Sequence, residues 1–323
     1  MRFDYIFCLV LAFFMAKASA ANILLIESYH AEYLWDASYI EGLKSKLGDK
    51  HHIERFEMNT KRIPPAEFQS KADQAFAKFL NMKPDLVILG DDNALKYLGK
   101  RIDDTGTPVV YLGINGNPRQ IGNFKNTTGV LERPLFLRSI VTLKPLLGAN
   151  PRVLILFDSG ATSAASVAEA FAGKNQLEIS GVTLDLKQIV LEDEWKKTVL
   201  NSKSLGYSAI FVGLYHTLVD LNGNSVGAED ILLWTSRHTP LPNFAFWDFS
   251  VGPDKTIGGY VLFGRTQADL ASVLVEKILA GTPANSIMPI FGERGRFLFS
   301  KSQLARWNLT LPDHIAKQAG WTE

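Results

Sequence analysis

A strand-then-helix alternation, run through twice, most constrains what this 323-residue chain can fold into. Residues 22–28 (NILLIES), 85–90 (DLVILG) and 108–114 (PVVYLGI) are continuous apolar runs of strand length. Residues 51–58 (HHIERFEM) alternate as a half-covered strand does. Between them, 34–47 places Leu34, Ile40, Leu43 and Leu47 at helical spacing and stops at Gly48. Residues 64–82 open with Pro64-Pro65 and carry Phe68, Ala72, Ala75, Phe76 and Phe79 at helical intervals, and 93–102 predicts a third helix. The series restarts after 131–147. Strands are expected at 152–157, 182–186 (weaker), 209–214, 243–247 and 258–264, and helices at 162–172, 192–204, 227–238 and 266–279. A strand buried on both faces reads as an unbroken apolar run, and its parallel neighbour needs a crossover helix. The chain is therefore expected in the α/β class, as two similar doubly wound parallel-sheet lobes. No sequence repeat accompanies this, so the duplication is one of architecture.

The ends of the chain add a second constraint. Met1-Arg2, an apolar run from Ile6 to Met15, and Ala18-Ser19-Ala20 match a secretory leader over residues 1–20, cleaved after Ala20. The run is too short to span a bilayer, which takes about 20 apolar residues. The remainder is expected in the periplasm. Cys8 is the only cysteine, so the remainder has no disulfide and depends on core burial. The whole chain carries a formal net charge of +1, and loss of Arg2, Lys17 and Asp4 with the leader makes the remainder neutral. That balance excludes the basic footprint of a nucleic-acid-binding protein, and a monomer is expected.

In open parallel sheets, ligands sit beyond the carboxyl ends of the strands. The loops there carry Ser28-Tyr29-His30 with Trp35, Asp91-Asp92-Asn93, and Asn115 in the first half. In the second half they carry Asp158-Ser159-Gly160-Ala161-Thr162-Ser163, Tyr215-His216 and Trp247-Asp248. The helix expected at 162–172 offers free N–H groups and partial positive charge at Thr162 and Ser163, suited to a carboxylate or phosphate; the same residues also suit a plain helix cap. Asp91 fits a ligand amine and Asp92 a helix cap. Tyr29, Trp35, Tyr215 and Trp247 offer aromatic faces, with core packing the alternative for Trp35. Asp248 fits a cationic group or a turn cap. The six histidines show no metal-ligand spacing, and no nucleotide loop or nucleophile elbow occurs, so no cofactor, metal or catalytic residue is expected.

The segments ILLIESYHAEYLWDASYIEGLKSKL, DLVILGDDNALKYL with TGTPVVYLGINGNP, and GGYVLFGRTQADLASVLVEKILAGTPANSIMPI, in that order, resemble the type I periplasmic binding proteins. The branch they most resemble comprises ABC-transporter substrate-binding proteins, some of which serve as sensory input modules. The resemblance spans essentially the whole chain after the leader, with residues 173–239 matching only in rhythm. It implies lobe I over 21–130 plus 264–288, lobe II over 131–263 plus 289–323, and three crossovers acting as a hinge. It also implies binding of a small molecule, an amino acid or small carboxylate favoured. The protein partner would be a membrane permease or a membrane sensor kinase or cyclase. An enzyme on the same scaffold is the remaining alternative.

Overall fold

The computed structural model describes residues 20–292 and 295–323; the expected leader, Ala20 apart, lies outside them. The chain begins with β1 (Asn22–Glu27), α1 (Leu34–Leu47), β2 (His52–Glu57), α2 (Phe68–Met82) and β3 (Leu86–Gly90). The expected helix at 93–102 is three pieces: α3 (Asp91–Ala94), a π-helical turn Leu95–Gly99, and α4 (Lys100–Asp103). Then come β4 (Val109–Ile114), α5 (Pro118–Ile121) and β5 (Thr127–Leu131).

The second series is α6 (Phe136–Leu143), β6 (Arg152–Asp158), α7 (Ala161–Phe171), β7 (Gln176–Ile179), β8 (Val182–Ile189), α8 (Glu192–Asn201), β9 (Ala209–Val212), α9 (Ala228–His238), β10 (Asn243–Ala245) and β11 (Gly258–Val261). The last stretch holds α10 (Gly264–Leu279), β12 (Ile290–Phe291), β13 (Arg296–Phe299), α11 (Lys301–Arg306), α12 (Asp313–Ala316) and β14 (Gly320–Trp321). Among the described residues no helix is long and apolar enough to cross a membrane.

Two parallel sheets result, ordered β12-β5-β4-β3-β1-β2 and β10-β9-β6-β8-β7. Every residue of β3 and β4 is buried, and so is β6 after Arg152, as expected of strands covered by helices on both faces. At the edge, β2 has no buried residue. Five strands, β5, β7, β12, β13 and β14, escaped the sequence reading. Short, polar-led β5 and two-residue β12 extend the first sheet, and β12 carries it to Phe291, past the residue-288 limit expected for lobe I. Antiparallel β7 closes the edge of the second sheet. The expected strand at 258–264 stands apart from the parallel sheets: β11 pairs antiparallel with β13, and β14 completes a three-stranded sheet.

After β11 the chain returns to the first sheet, and α10 packs along α1. The fit needs Gly42, where a Cβ would come within 2.6 Å of the Ala268 Cβ. The carboxyl ends of β1, β3 and β4 thereby face those of β6, β9 and β10, and the loops of both sheets meet between them.

Candidate ligand cleft

Asp91 is the most constrained residue of this meeting point. It follows β3 directly and takes a left-handed backbone (φ 66°), uncommon for a residue with a side chain. The conformation turns its carboxylate inward, where Trp35 Nε1 donates to Oδ1 (3.1 Å) and Oδ2 has no partner among the described residues. Gly113 leaves room for it: a Cβ there would lie 2.7 Å from Asp91 Oδ1. Burial first, then the charges of Asp36 and Glu132, push the Asp91 carboxyl well above the usual range.

Glu132, just after β5, is the second buried acid. It accepts from Trp247 Nε1 (2.7 Å) and from Asn115 Nδ2 (3.2 Å). Burial raises it to about 8, so it is mostly protonated at neutral pH. Tyr29, Tyr33, Trp35, Asp91, Asn115, Glu132, Thr162, Leu214 and Trp247 enclose a space of only about 10 Å³, too small for a solute. The two sheets are bridged across it. Tyr29 Oη and Thr162 Oγ1 share a hydrogen bond (2.8 Å), Ser166 Oγ donates to Asn115 Oδ1 (2.9 Å), and Arg133 pairs with Glu169 (3.1 Å). This is a closed arrangement of the cleft.

Two larger spaces open outward. One, of about 680 Å³, is lined from the first half by Tyr29, Thr60, Lys61, Arg62, Phe68 and Lys96, and from the second by Asp158 to Ser163, Leu214 and Thr217. The other, of about 410 Å³, is lined by His30, Tyr33, Lys61, Arg62, Tyr215, His216, Glu229 and Phe249. Lys61 borders both. It is 8% exposed, and its ammonium lies 4.2 Å from the Tyr29 ring centroid and 4.7 Å from that of Tyr33. Burial lowers its pKa, opposed first by Asp158 and then by Asp91. His216 is stacked on Tyr215 (4.3 Å) and meets Tyr33 edge-on (4.6 Å) and Phe249 (5.5 Å). Burial, then the Lys61 and His30 charges, hold its imidazole well below the ordinary value.

Of the residues singled out from sequence, Tyr29, Trp35, Asp91, Asn115, Thr162 and Trp247 converge on the inner space. Ser159 and Ser163 line the 680 Å³ cavity, and His30 and Tyr215 the 410 Å³ one. Others are turned to the scaffold. Ser28 Oγ donates to Gly90 O and accepts from Ala94 N, tying β1 to β3. Asp92 accepts from the backbone of Asn115 and Gly116 and clamps that loop. The Ser163 hydroxyl donates to Asp158, which also takes the N–H groups of Gly160 and Thr217, so the start of α7 already has a carboxylate beside it. Asp248 opens a 3-10 turn and lines none of these spaces; burial raises it to about 7 against the pull of Arg296. Tyr33, Lys61 and Glu132 are cleft residues that the sequence reading did not select, and His216 was placed in a strand-end loop there without a role. Glu132 would have followed from the strand-end rule had β5 been recognised.

No family model matches the chain, and no curated protein does. Solved structures do. An ABC domain in complex with L-Trp from Streptococcus pneumonia aligns at a TM-score of 0.68 and 19% identity, over 94% of this chain and 99% of that one. A substrate-binding protein with adhesive properties from Clostridium difficile, in its ligand-free open form, aligns at 0.65 and 15%, over 94% and 99%. A conserved domain protein from Vibrio cholerae aligns at 0.65 and 14%, over 94% and 100%. The chain has the type I periplasmic-binding-protein fold, the two-lobed α/β frame seen in ABC substrate-binding proteins.

Proposed function

We propose that this chain is an ABC-type solute-binding protein that closes two lobes on a small molecule. The observation that carries the reading is the cleft itself. Loops from two separate sheets bring Asp91, Tyr29 and Trp35 against Thr162, Leu214 and Trp247, a contact that must part to admit a ligand and close on it from both sides. Lobe I is taken as residues 21–130 plus 264–291, the upper limit moved from 288 by β12, and lobe II as 131–263 plus 292–323. Three connections between them act as the hinge. An amino acid or small carboxylate is the favoured ligand, supported by paired acids and aromatic faces inside and a lysine towards the mouth. That the Streptococcus structure holds L-Trp agrees with this class. The leader sends the protein to the periplasm, where it acts as a monomer and delivers the ligand to a membrane permease. Its role is binding without turnover.

A thermal-shift screen of amino acids and small carboxylates, paired with solution scattering, tests this. A ligand at a hundredfold excess over Kd stabilises the native state by about 2.7 kcal/mol, a melting shift on the order of 5 °C for a chain this size. Scattering should show an open form contracting on binding. Conversion of the ligand to product would transfer the protein to the enzymes. A melting shift at constant radius of gyration would remove the hinge mechanism.

A further inference from the structure

We propose that the group deciding which solutes bind is an anion, a carboxylate or a phosphate, received in the 680 Å³ cavity between Lys61 and the open first turn of α7. This rests on the solute-binding reading and narrows its ligand class.

Two independent features meet in that cavity. The first is Lys61, a cation more than nine-tenths buried. No carboxylate lies within ion-pair distance of it among the described residues, and only the faces of Tyr29 and Tyr33 hold it. A lysine ammonium has three donors and is costly to bury without an acceptor. The second is the start of α7, an eleven-residue helix. Its first intrahelical bond runs from Ala164 N to Gly160 O, so the N–H groups of Ala161, Thr162 and Ser163 precede the ladder and face the positive end of the helix dipole. Lys96 adds a further cation at the rim, also without an ion pair among the described residues.

Asp158 sets the counterweight. Its carboxylate stands at the same helix start, but its oxygens are engaged by Gly160, Ser163 and Thr217, all on its own side of the cavity. The inner acids do not pair with Lys61: Asp91 and Glu132 favour its charge from a distance, and neither comes within ion-pair reach among the described residues. An incoming anion bonded to Lys61 satisfies the ammonium and removes the penalty that burial places on its charge. A cationic solute meets that ammonium instead, and a neutral one leaves it unpaired. Charge-assisted bonds of this kind are short and about twice as strong as neutral ones.

The test uses the chain without its leader, as wild type, Lys61→Met, Lys61→Arg and Ser159→Asp. Thermal shift and calorimetry are run with succinate, inorganic phosphate, L-tryptophan, putrescine and ribose. Among the probes that bind, all should carry an anionic group, and the stronger of succinate and phosphate names the source chemistry. Lys61→Met should weaken that binding at least about thirtyfold, the scale of a lost charged hydrogen bond, while Lys61→Arg stays within about fivefold. Ser159 is exposed at the helix start, so Ser159→Asp should fold normally and weaken the anion about tenfold through like-charge repulsion. Anion affinity unchanged in Lys61→Met and in Ser159→Asp overturns the proposal. Putrescine or ribose binding as tightly as the anions overturns it and leaves solute binding standing. Failure of every probe, and of a wider solute library, overturns the solute-binding reading and this proposal with it.

Discussion

Replacing Glu132 by Gln should change the stability of this protein by an amount that shifts in the variant's favour as pH rises, in a calculable way. Glu132 is 2% exposed and raised from an ordinary 4.5 to about 8, chiefly by burial. A carboxyl whose folded pKa exceeds its unfolded one favours folding most below the unfolded value and loses that advantage as pH rises through the folded value. Each unit of separation is worth about 1.4 kcal/mol. Relative to acid, the wild-type side chain therefore costs roughly 1 kcal/mol at pH 5, roughly 3 at pH 7 and close to 5 above pH 9, where both states are ionised. Gln keeps the acceptor for Trp247 Nε1 and cannot titrate, and the loss of the acceptor for Asn115 Nδ2 is a cost that does not change with pH. Urea unfolding of both proteins at pH 5, 7 and 9 should show the stability difference, variant minus wild type, grow by roughly 2 to 3 kcal/mol over the first interval and by about half as much over the second. Subtraction cancels the titrating groups remote from Glu132, such as Glu323, whose hydrogen bonds hold it near 2; Asp91 feels the charge of Glu132 and is relieved with it. A difference that stays flat from pH 5 to 9 would refute the assignment of Glu132 as a buried, protonated acid.

Other consequences are simpler to state. On the proposed closure, Tyr33 of the first lobe covers His216, already flanked by Tyr215 and Phe249, and its pKa is depressed there, so ligand affinity should fall below about pH 6.5 by up to tenfold per unit; His216→Phe should flatten that slope in calorimetric titrations. Gly113→Ala combines a left-handed backbone (φ 70°) with a Cβ 2.7 Å from Asp91 Oδ1, and should cost about 1–3 kcal/mol in urea unfolding, with no effect counting against the packing described. Tyr29→Phe removes the hydrogen bond to Thr162 that joins the two halves, and should shift the unliganded protein towards a larger radius of gyration through a loss of about 1 kcal/mol.

The frame of the molecule was legible because its strands are extremes. Runs such as 85–90 and 152–157 have no polar residue inside them, and a parallel sheet under two helix layers demands that pattern. The helix at 34–47 was read to the residue, since Gly48 marks its end. Legibility failed where a strand owes its existence to neighbours. β5 begins Thr-Thr-Gly and is held by β4 on one side and β12 on the other, and β14 is two residues added to β13. The candidate cleft followed the same division. Tyr29, Trp35 and Asp91 sit just past obvious strands. Lys61 lies in a polar, Pro-flanked loop that looks solvent-facing, and its burial over Tyr29 and Tyr33 is a tertiary contact that no local pattern reveals. Ser163 has the composition of an anion site, but nothing local reveals that Asp158 folds back onto it.

The packing of α10 on α1 has a consequence for the order in which the chain can assemble. The partner of the first helix lies more than 200 residues downstream, and Gly42 is shaped to receive Ala268 and little else. A polypeptide growing from its amino end can pair β1 to β5, yet one apolar flank of that sheet stays bare until Gly264–Leu279 arrives. The second half has its strands nearly in sequence by then. The first half therefore waits for α10 before its core can close, and the second waits longer still for β13 and β14, which complete the sheet begun by β11. A fragment ending near residue 262 should therefore expose apolar surface and bind a hydrophobic dye, and adding a separate peptide of residues 263–292 should reduce the signal, with the remainder due to the surface that β13 to β14 cover.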